Sequence, residues 1–387
     1  MQDTPLKSQF TVQVADSITD IPENTWNHCL NSNHPFMLFN FLLSLEESGS
    51  AISETGWRAQ HLVLYSGTNI VGTMPMYLKE HSAGEYVFDH GWADAFHRAG
   101  GRYYPKLQVS VPFTPATGPR LLISPNVDKP EIARKALILK AIEHCQNMGA
   151  SSLHITFPTR EEWNNFSELG MLKRTGIQFH WFNQGYENFE EFLSTFSSSK
   201  RKQIRKERRK AIINDIKILT LCGDSIKEHH WDSFYTFYKN TGQRKWGIPY
   251  LNRDFFSLLG NRMADQIILI VAERAGKPIG AALNFLGNNT LYGRNWGCIE
   301  DHKFLHFEVC YYQAIDFAIT NKINKIEAGA QGGHKLSRGY IPTTTYSSHW
   351  IAHPGLRQAV SEYLTNEVTN VDREIKILEK HSPFKRV

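Results

Sequence analysis

The sequence predicts a mixed α+β fold made of two tandem sandwiches. The chain has 387 residues, a length that suits two domains at about 150 residues each. Strand and helix patterns follow one order in the first half of the chain and repeat it in the second half, and in each half a central helix leads into a strand. We therefore expect an N-terminal domain at residues 1–185, with an insertion at about 79–125, and a C-terminal domain at residues 186–387.

The composition is that of a globular protein. Hydrophobic residues make up 41% of the chain, which excludes disorder and coiled coil as descriptions of the whole. The net charge of +5 is mild for this length and does not by itself imply nucleic acid. The five cysteines are widely spaced, with no C-x-x-C pair. We therefore expect reduced thiols and neither a disulfide framework nor a zinc ribbon.

Targeting signals are not evident. No run approaches the roughly 18 uncharged apolar residues that a membrane-spanning helix needs. The start, MQDTPLKSQF, lacks the apolar stretch of a signal peptide. We expect a cytoplasmic protein, either free or attached peripherally at the inner membrane surface.

The first half of the chain begins with a strand pattern, two helix patterns and a hairpin signal at Ser66-Gly67-Thr68-Asn69. Pro130 opens a later helix and Gly149 follows it as a C-terminal cap would. A stretch rich in Gly, Pro and aromatics, Leu78–Pro125, shows few clear elements, as functional loops do. The predicted elements are strand 9–14, helices Pro22–Leu30 and Pro35–Ser48, strands Gln60–Tyr65, Ile70–Leu78 and Leu107–Val111, helix Pro130–Met148, and strands Ser152–Phe157 and Ile177–Phe182.

The second half repeats this order and contains a clear meander. Ala275-Gly276-Lys277-Pro278 and Gly287-Asn288-Asn289 are the turn signals between its strands. The predicted elements are strand Ile216–Leu221, helices Ile226–Asn240 and Asn252–Met263, strands Gln266–Glu273, Ile279–Leu286 and Thr290–Trp296, helix Phe307–Lys322, strand Lys325–Ala328, a Gly-rich loop, and strand Thr345–Ile351.

Three stretches carry a resemblance to a known family: His34–Ser50, Gly84–Leu122 and Leu305–Trp350. The element order is that of the GNAT acyltransferase fold, and a tandem pair is the FemAB arrangement. The chain thus resembles the FemAB-related predicted N-acyltransferases of peptidoglycan biosynthesis or recognition. The resemblance implies two GNAT-like sandwiches and transfer of an acyl group to an amine. One departure stands out: where the family pattern has Gln-Gly-Glu-His-Lys, this chain has Gln-Gly-Gly-His-Lys at 331–335, which puts a base role for that Glu in doubt here.

The Gly-rich loop Ala328–Tyr340 is the first candidate site, because α/β folds place ligands directly after a buried strand. Its glycines allow the backbone to approach a ligand closely. Glu327 ends the preceding strand and is either the acceptor-amine base or the partner of Arg338. The candidate catalytic residues are His334, Glu327 and Lys335, and the candidate substrate-binding residues here are Gln331, Arg338 and Tyr340.

Glu308 opens the predicted helix Phe307–Lys322 and is a further candidate for substrate binding, or else a first-turn carboxylate that favours the helix dipole. The preceding segment, Asp301–Phe307, contains no glycine. Acyl-CoA enzymes of this fold place a Gly-rich pyrophosphate loop there. This segment therefore argues against an acyl-CoA donor.

A second cluster lies in the insertion. We expect it to line a substrate cleft, with a satisfied structural network as the alternative. A metal site built from Asp89, His90, Asp94 and His97 is conceivable, but the irregular spacing of these residues is not typical of metal ligands. We therefore expect no metal. The candidate substrate-binding residues are Asp89, His90, Trp92, Lys106 and Arg120.

The run KRKQIRKERRK at 200–210 predicts an amphipathic basic helix at about 198–213. Ile204 and Ala211 lie on its narrow apolar stripe, and we expect Ser198 or Ser199 to cap its start. An anionic partner would offset the unfavourable cations in its first turn. The candidate partners are tRNA, an anionic membrane surface or a diphosphate-linked precursor, and a merely solvated face is the alternative. The candidate anion-binding residues are Lys200, Arg201, Arg205 and Arg208.

The function predicted first is an acyl- or aminoacyltransferase that acts on a small-molecule amine acceptor. The donor, acyl-CoA or aminoacyl-tRNA, stays open. Backbone amides of the central meander would stabilise the oxyanion. Two alternatives remain: a non-catalytic binder of nucleic acid or anionic membrane that uses the basic helix, and, remotely, a metallohydrolase built on His90 and His97.

Overall fold

The computed structural model of the chain describes residues 10–245, 247, 249–330 and 332–385. The chain divides into two units. Unit 1 holds the chain up to Gly176 together with Thr345–Val371, and unit 2 holds Ile177–Thr344 and the chain from Asp372 onwards. Gln9, the first residue of the first predicted strand, lies outside the described residues.

The elements up to the end of the first long stretch of unit 1 are, in chain order, β1 (Thr11–Ala15), α1 (Glu23–Leu30), α2 (Phe39–Glu47), β2 (Trp57–Ala59), β3 (His61–Ser66), β4 (Asn69–Met74), β5 (Tyr77–Lys79), α3 (His90–Arg98), β6 (Lys106–Val109), β7 (Leu122–Ile123), α4 (Pro130–Asn147), β8 (Ser152–Thr156) and α5 (Arg160–Phe166).

The chain continues with β9 (Leu172–Phe182), α6 (Phe189–Ser194), α7 (Ser198–Ala211), β10 (Ile216–Cys222), α8 (Glu228–Lys245), α9 (Arg253–Arg262), β11 (Ile267–Arg274), β12 (Lys277–Gly287), β13 (Thr290–Cys298), α10 (Leu305–Phe307), α11 (Gln313–Thr320), β14 (Lys325–Glu327), β15 (Ile341–Ile351) and α12 (Pro354–Lys380). A π-helical turn, Glu308–Tyr312, joins α10 to α11, and we call these three segments together the central helix of unit 2.

Unit 1 is built around α4. Strands β1, β3, β4 and β7 form one sheet. In a second row of strands, β2 pairs with β5, β5 with β6, and β6 with β8, and β8 also pairs with Ser347–Ile351 of β15. Pro130 occupies the first turn of α4, where its missing N–H has no helical partner to lose. Leu137 and Ala141, one turn apart, are fully buried in the same cluster as Leu107 and Leu153 of the sheet. The apolar side of α4 thus covers the parallel pair β6 and β8.

Unit 2 contains the predicted meander. Its strand order is β10-β11-β12-β13-β14-β9. Ala275 and Gly276 both have positive φ between β11 and β12, and so do Asn288 and Asn289 between β12 and β13, as two-residue hairpin turns require. The central helix then leads into β14, which pairs parallel with β13. Each unit therefore has a long helix that feeds a strand of a parallel pair, as the repeated element order predicted.

The structure corrects three of the predicted elements. The insertion contains α3 and the short strand β7 in addition to β6, which corresponds to the predicted strand Leu107–Val111, so it is more regular than its composition predicted. The helix predicted at Phe307–Lys322 begins at Leu305, is interrupted by the π turn and ends at Thr320. The 27-residue helix α12 was not predicted. Among the described residues, no helix combines the length and the apolar character that crossing a bilayer requires.

Gly297 of β13 allows α8 to pack directly on the sheet. A Cβ at this position would lie 2.3 Å from the carbonyl group of Phe237, which is backbone and cannot rotate away. We expect Gly297→Ala to lower the free energy of unfolding by about 1–3 kcal/mol, measured by urea unfolding. Gly91→Ala in α3 is the matched control, because its Cβ would meet nothing within 4 Å. Equal stability of the two variants would contradict this account.

Candidate active site

A gap between two parallel strands marks the candidate active site in unit 2. β13 and β14 pair over three residues each, Thr290–Tyr292 with Lys325–Glu327, and β13 then runs on to Cys298. The register between β12 and β13 shifts after Leu283, which leaves Arg294 as the extra residue of a β-bulge. The bulge re-aims the backbone of β13 at the point where the two strands part.

Two adjoining cavities lie along this gap. The smaller, of about 90 Å³, is lined by the bulged stretch of β13, by His306 and Tyr311 of the central helix and by Ala328 after β14. The larger, of about 410 Å³, shares Trp296 and His306 with it and extends to Arg244. The cavities offer space for a small reacting group beside exposed strand backbone.

The Gly-rich loop is held by its own lysine. The side chain of Lys335 is buried, and its Nζ donates to the carbonyl oxygens of Ala328 at 2.6 Å and Gly329 at 3.0 Å. Burial lowers the pKa of Lys335 to about 8, since the charged form loses its hydration. Gly332 and Gly339, with φ of +119° and +88°, bracket the 3₁₀ helix Gly333–Arg338. Lys335 therefore ties the loop to the end of β14, and its predicted catalytic role stays a prediction.

The side chain of His334 is exposed in this loop. Its Nε2 lies 2.9 Å from the Tyr311 hydroxyl, and its ring lies against Phe307 with 5.6 Å between ring centroids. His306, a wall residue of both cavities, has its ring 6.0 Å from that of His334. The structure thus places an imidazole beside the cavities, on the face of the central helix.

Arg338 does not pair with Glu327, contrary to one of the two sequence readings. Its Nη2 donates to Glu207 at 2.9 Å, its Nη1 donates to the His334 carbonyl oxygen at 2.7 Å, and its guanidinium lies 3.3 Å over the ring of Phe307. Glu327 instead accepts from Lys325 at 2.7 Å. Arg338 is 4% exposed, and its hydrogen bonds hold the Gly-rich loop from the protein interior.

Glu207 is a central residue of this region that the sequence analysis missed. Its carboxylate is buried and accepts hydrogen bonds from the Tyr312 hydroxyl at 2.6 Å, from Arg338 and from the Gln203 amide at 2.9 Å. It joins α7 to the central helix and to the loop. A signal was present, because Glu207 lies between Ile204 and Ala211 on the apolar stripe of the basic helix. A carboxylate at such a position needs buried donors.

The basic helix differs from its prediction at two points. Its N-cap is Ser197, and no side-chain cap hydrogen bond is present there. Arg208, a candidate for binding an external anion, is already paired within the chain, because its Nη2 lies 3.0 Å from Glu308 and 2.6 Å from Asp316. The central helix supplies both carboxylates, so Arg208 faces inward.

The other three predicted anion-binding residues lie further out. Arg205 is exposed and pairs with Glu190 at 2.5 Å. Arg201 and Lys200 are half-buried, and Arg201 donates to the Phe196 carbonyl oxygen. Their anion-binding role stays a prediction.

Glu308 is buried inside the π turn. Burial raises the pKa of Glu308, although Arg208 acts in the opposite direction. Its partners are Arg208 and the Gln313 amide, which donates to it at 2.8 Å. Substrate binding by Glu308 stays a prediction, with its carboxylate already occupied by two partners. Tyr340 is also buried, with its ring 5.6 Å from that of Tyr311, and Gln331 lies outside the described residues.

The predicted cluster of unit 1 is an internal ionic network. Lys106 is fully buried, and its Nζ lies 2.7 Å from Glu85 and 2.5 Å from Asp89. The Tyr103 hydroxyl donates to Asp89 at 2.7 Å. Burial alone would raise the pKa of Asp89, but the Lys106 ammonium outweighs it and holds this pKa below its usual range. Burial raises the pKa of Glu85 to about 7.

Of the other predicted members of this cluster, Trp92 borders the network, since its ring stacks on that of His154, which lies 3.8 Å from Asp89. Trp92 is buried at the edge of α3, and His90 is exposed. Arg120 is buried and donates to backbone carbonyl oxygens, Ala116 at 2.8 Å among them. Within the described part of the chain, no group of three or more His, Cys, Asp or Glu side chains is placed to hold a metal ion. Substrate contact by the five predicted residues stays a prediction.

Lys335 should make stability depend on pH. Its pKa is about 8 in the folded chain against 10.5 as the ordinary value, so between these values the unfolded chain binds more protons and stability rises with pH. We expect the difference in unfolding free energy between wild type and Lys335→Met to grow by up to about 3 kcal/mol over this range. Urea unfolding at a series of pH values measures it, with the exposed Lys303→Met as control. A constant difference would refute the assignment.

The Glu207–Arg338 pair should contribute more to stability than any exposed pair of α7. Glu207→Ala leaves Arg338 buried without a counter-charge, so we expect a loss of about 3–5 kcal/mol. Glu190→Ala, which breaks the exposed pair with Arg205, should change stability by less than about 1 kcal/mol. The double variant Glu207→Ala, Arg338→Ala should lose less than the sum of the single losses. Additive losses in thermal or urea unfolding would show that the two residues act independently.

Solved structures with similar folds support the fold class. FemX matches with a TM-score of 0.55 at 11% identity, over 88% of this chain and 98% of its own. The C-terminal domain of a putative lysylphosphatidylglycerol synthetase from Agrobacterium fabrum matches with a TM-score of 0.55 at 8% identity, over 89% of this chain and 96% of its own. At these identities the likeness concerns the fold, and it confirms the predicted FemAB-like class of tandem GNAT sandwiches.

No curated protein matches the chain. A family model named FemAB-like, described as peptidoglycan biosynthesis or recognition, matches residues 17–386. This range includes most of unit 1 and every element from α1 onwards. The chain therefore belongs to the FemAB-like family, as the three motif stretches predicted.

Proposed function

We propose that this chain is a transferase that moves an activated acyl or aminoacyl group onto an amine. The observation that carries the proposal is the gap between β13 and β14, with the bulge at Arg294 on one side. Tyr311 lines the adjoining cavity, and its hydroxyl lies 2.9 Å from His334. Membership of a family described by peptidoglycan biosynthesis or recognition supports an acceptor from cell-envelope metabolism.

The chemistry needs little covalent machinery. The acceptor amine attacks the carbonyl carbon of a thioester or ester, a C–N bond forms, and the carbonyl electrons move onto oxygen. Backbone N–H groups of the bulged strand β13 would stabilise that oxyanion. Collapse of the intermediate expels the thiolate or the ribose oxygen, which takes up a proton. The proton lost by the amine passes to a base, and we assign this role to His334, since imidazole titrates near neutral pH.

The segment that leads into the central helix bears on which acyl donor the protein binds. Asp301–Phe307 has no glycine, and Phe304 there already adopts a φ of +69°. A loop of bulky side chains does not present the row of backbone amides that binds a pyrophosphate. We therefore favour an aminoacyl donor such as aminoacyl-tRNA over acyl-CoA. The cytoplasmic location predicted from the sequence stays a prediction.

Transfer assays test the proposal directly. Purified protein is given acetyl-CoA or charged tRNA with amine-bearing cell-wall precursors, and products are read by mass spectrometry. His334→Ala should lower the transfer rate more than tenfold, about 1.4 kcal/mol in barrier, with an unchanged melting temperature because the side chain is exposed. Ser337→Ala in the same 3₁₀ helix is the matched control and should retain activity. Absence of transfer with every donor, or full activity of His334→Ala, would overturn it.

A further inference from the structure

The outer face of α7 is a continuous cationic surface. Lys202, Arg205, Lys206 and Arg209 follow the spacing i, i+3, i+4 and i+7, which places them on one face of the helix, and all four are exposed. The opposite face, with Ile204, is buried. Lys210 is exposed beside them. Only Glu190 among the lining residues of the adjoining groove is acidic, and it pairs with Arg205.

Two exposed isoleucines come next in the chain, after the buried Ala211 that ends α7. Ile212 is 48% exposed and Ile213 is 53% exposed, at the end of α7. Lys217 is exposed on β10, two residues after Asp215. Adjacent exposed aliphatic side chains next to a row of cations form an amphipathic surface of the kind that binds anionic membranes.

We propose that this surface docks the protein onto an anionic lipid bilayer. The docking face consists of Lys202, Arg205, Lys206, Arg209, Lys210, Ile212 and Ile213. The cations lie over the negatively charged headgroups, and the two isoleucines enter the boundary between headgroups and acyl chains. The proposal concerns attachment alone and does not depend on the transferase activity proposed above.

The apolar part of the face favours a bilayer over nucleic acid. Cations alone would suit a phosphate backbone equally well. Single-stranded nucleic acid, however, is bound by cations together with aromatic side chains on which bases stack, and the docking face has none. Isoleucine side chains find an apolar partner in lipid acyl chains and none in a phosphate backbone.

Vesicle sedimentation with the full chain tests the proposal. Wild type should sediment with vesicles of equal phosphatidylglycerol and phosphatidylcholine, weakly with phosphatidylcholine alone, and less as salt is raised. Ile212→Ser with Ile213→Ser should weaken binding to the anionic vesicles by about tenfold or more, because the buried apolar contribution is lost. Lys206→Gln with Arg209→Gln and Lys210→Gln should weaken binding and flatten its salt dependence.

Leu139→Ser is the matched control, because Leu139 is a 46% exposed aliphatic residue on α4 of unit 1. It should bind as wild type does, and thermal unfolding checks that every variant is folded. Absence of binding to anionic vesicles at low salt would overturn the proposal, and so would undiminished binding of the isoleucine variant. Binding to tRNA without binding to vesicles would overturn it and identify nucleic acid as the partner.

Discussion

Unit 2 depends on the buried carboxylate of Glu207. A charged side chain inside a protein is tolerated only when donors surround it, and Glu207 receives them from Tyr312, Arg338 and Gln203. These donors belong to the central helix, the Gly-rich loop and α7 itself. One carboxylate therefore fixes the relative positions of three segments, and through Arg338 it holds the backbone from which His334 projects.

This arrangement gives α7 two chemically distinct faces. On the inner face, Glu207 and Arg208 are committed to partners on the central helix and the loop. On the outer face, cations follow one another at helical spacing, and one of them, Arg205, pairs with Glu190. The composition of the basic run 200–210 does not reveal this division, because the sequence does not distinguish an arginine that faces the protein interior from one that faces solvent. Burial, and not charge, separates the anchoring residues from those available to a partner.

The candidate site itself follows from a failure of pairing. Parallel strands that stayed together would satisfy each other's backbone groups along their whole length. β13 and β14 pair over three residues, and the bulge at Arg294 turns the backbone at the point of divergence. His306 and Tyr311 line the cavity beside this gap, and the Tyr311 hydroxyl lies 2.9 Å from His334, the base of the proposed reaction.

The sequence by itself determined most elements of the two repeats and their order, although α3 and α12 were not predicted. Turn residues such as Ala275-Gly276 and Asn288-Asn289 and the periodicity of the helices are local signals, and the family motifs are continuous stretches. Tertiary structure alone decided the partners. Arg338 meets Glu207 from 131 positions away, Lys106 meets Glu85 and Asp89 inside unit 1, and Arg208 turns inward to Glu308. A side chain's neighbours across the fold depend on packing between elements distant in the chain, and no local pattern of residues encodes that packing.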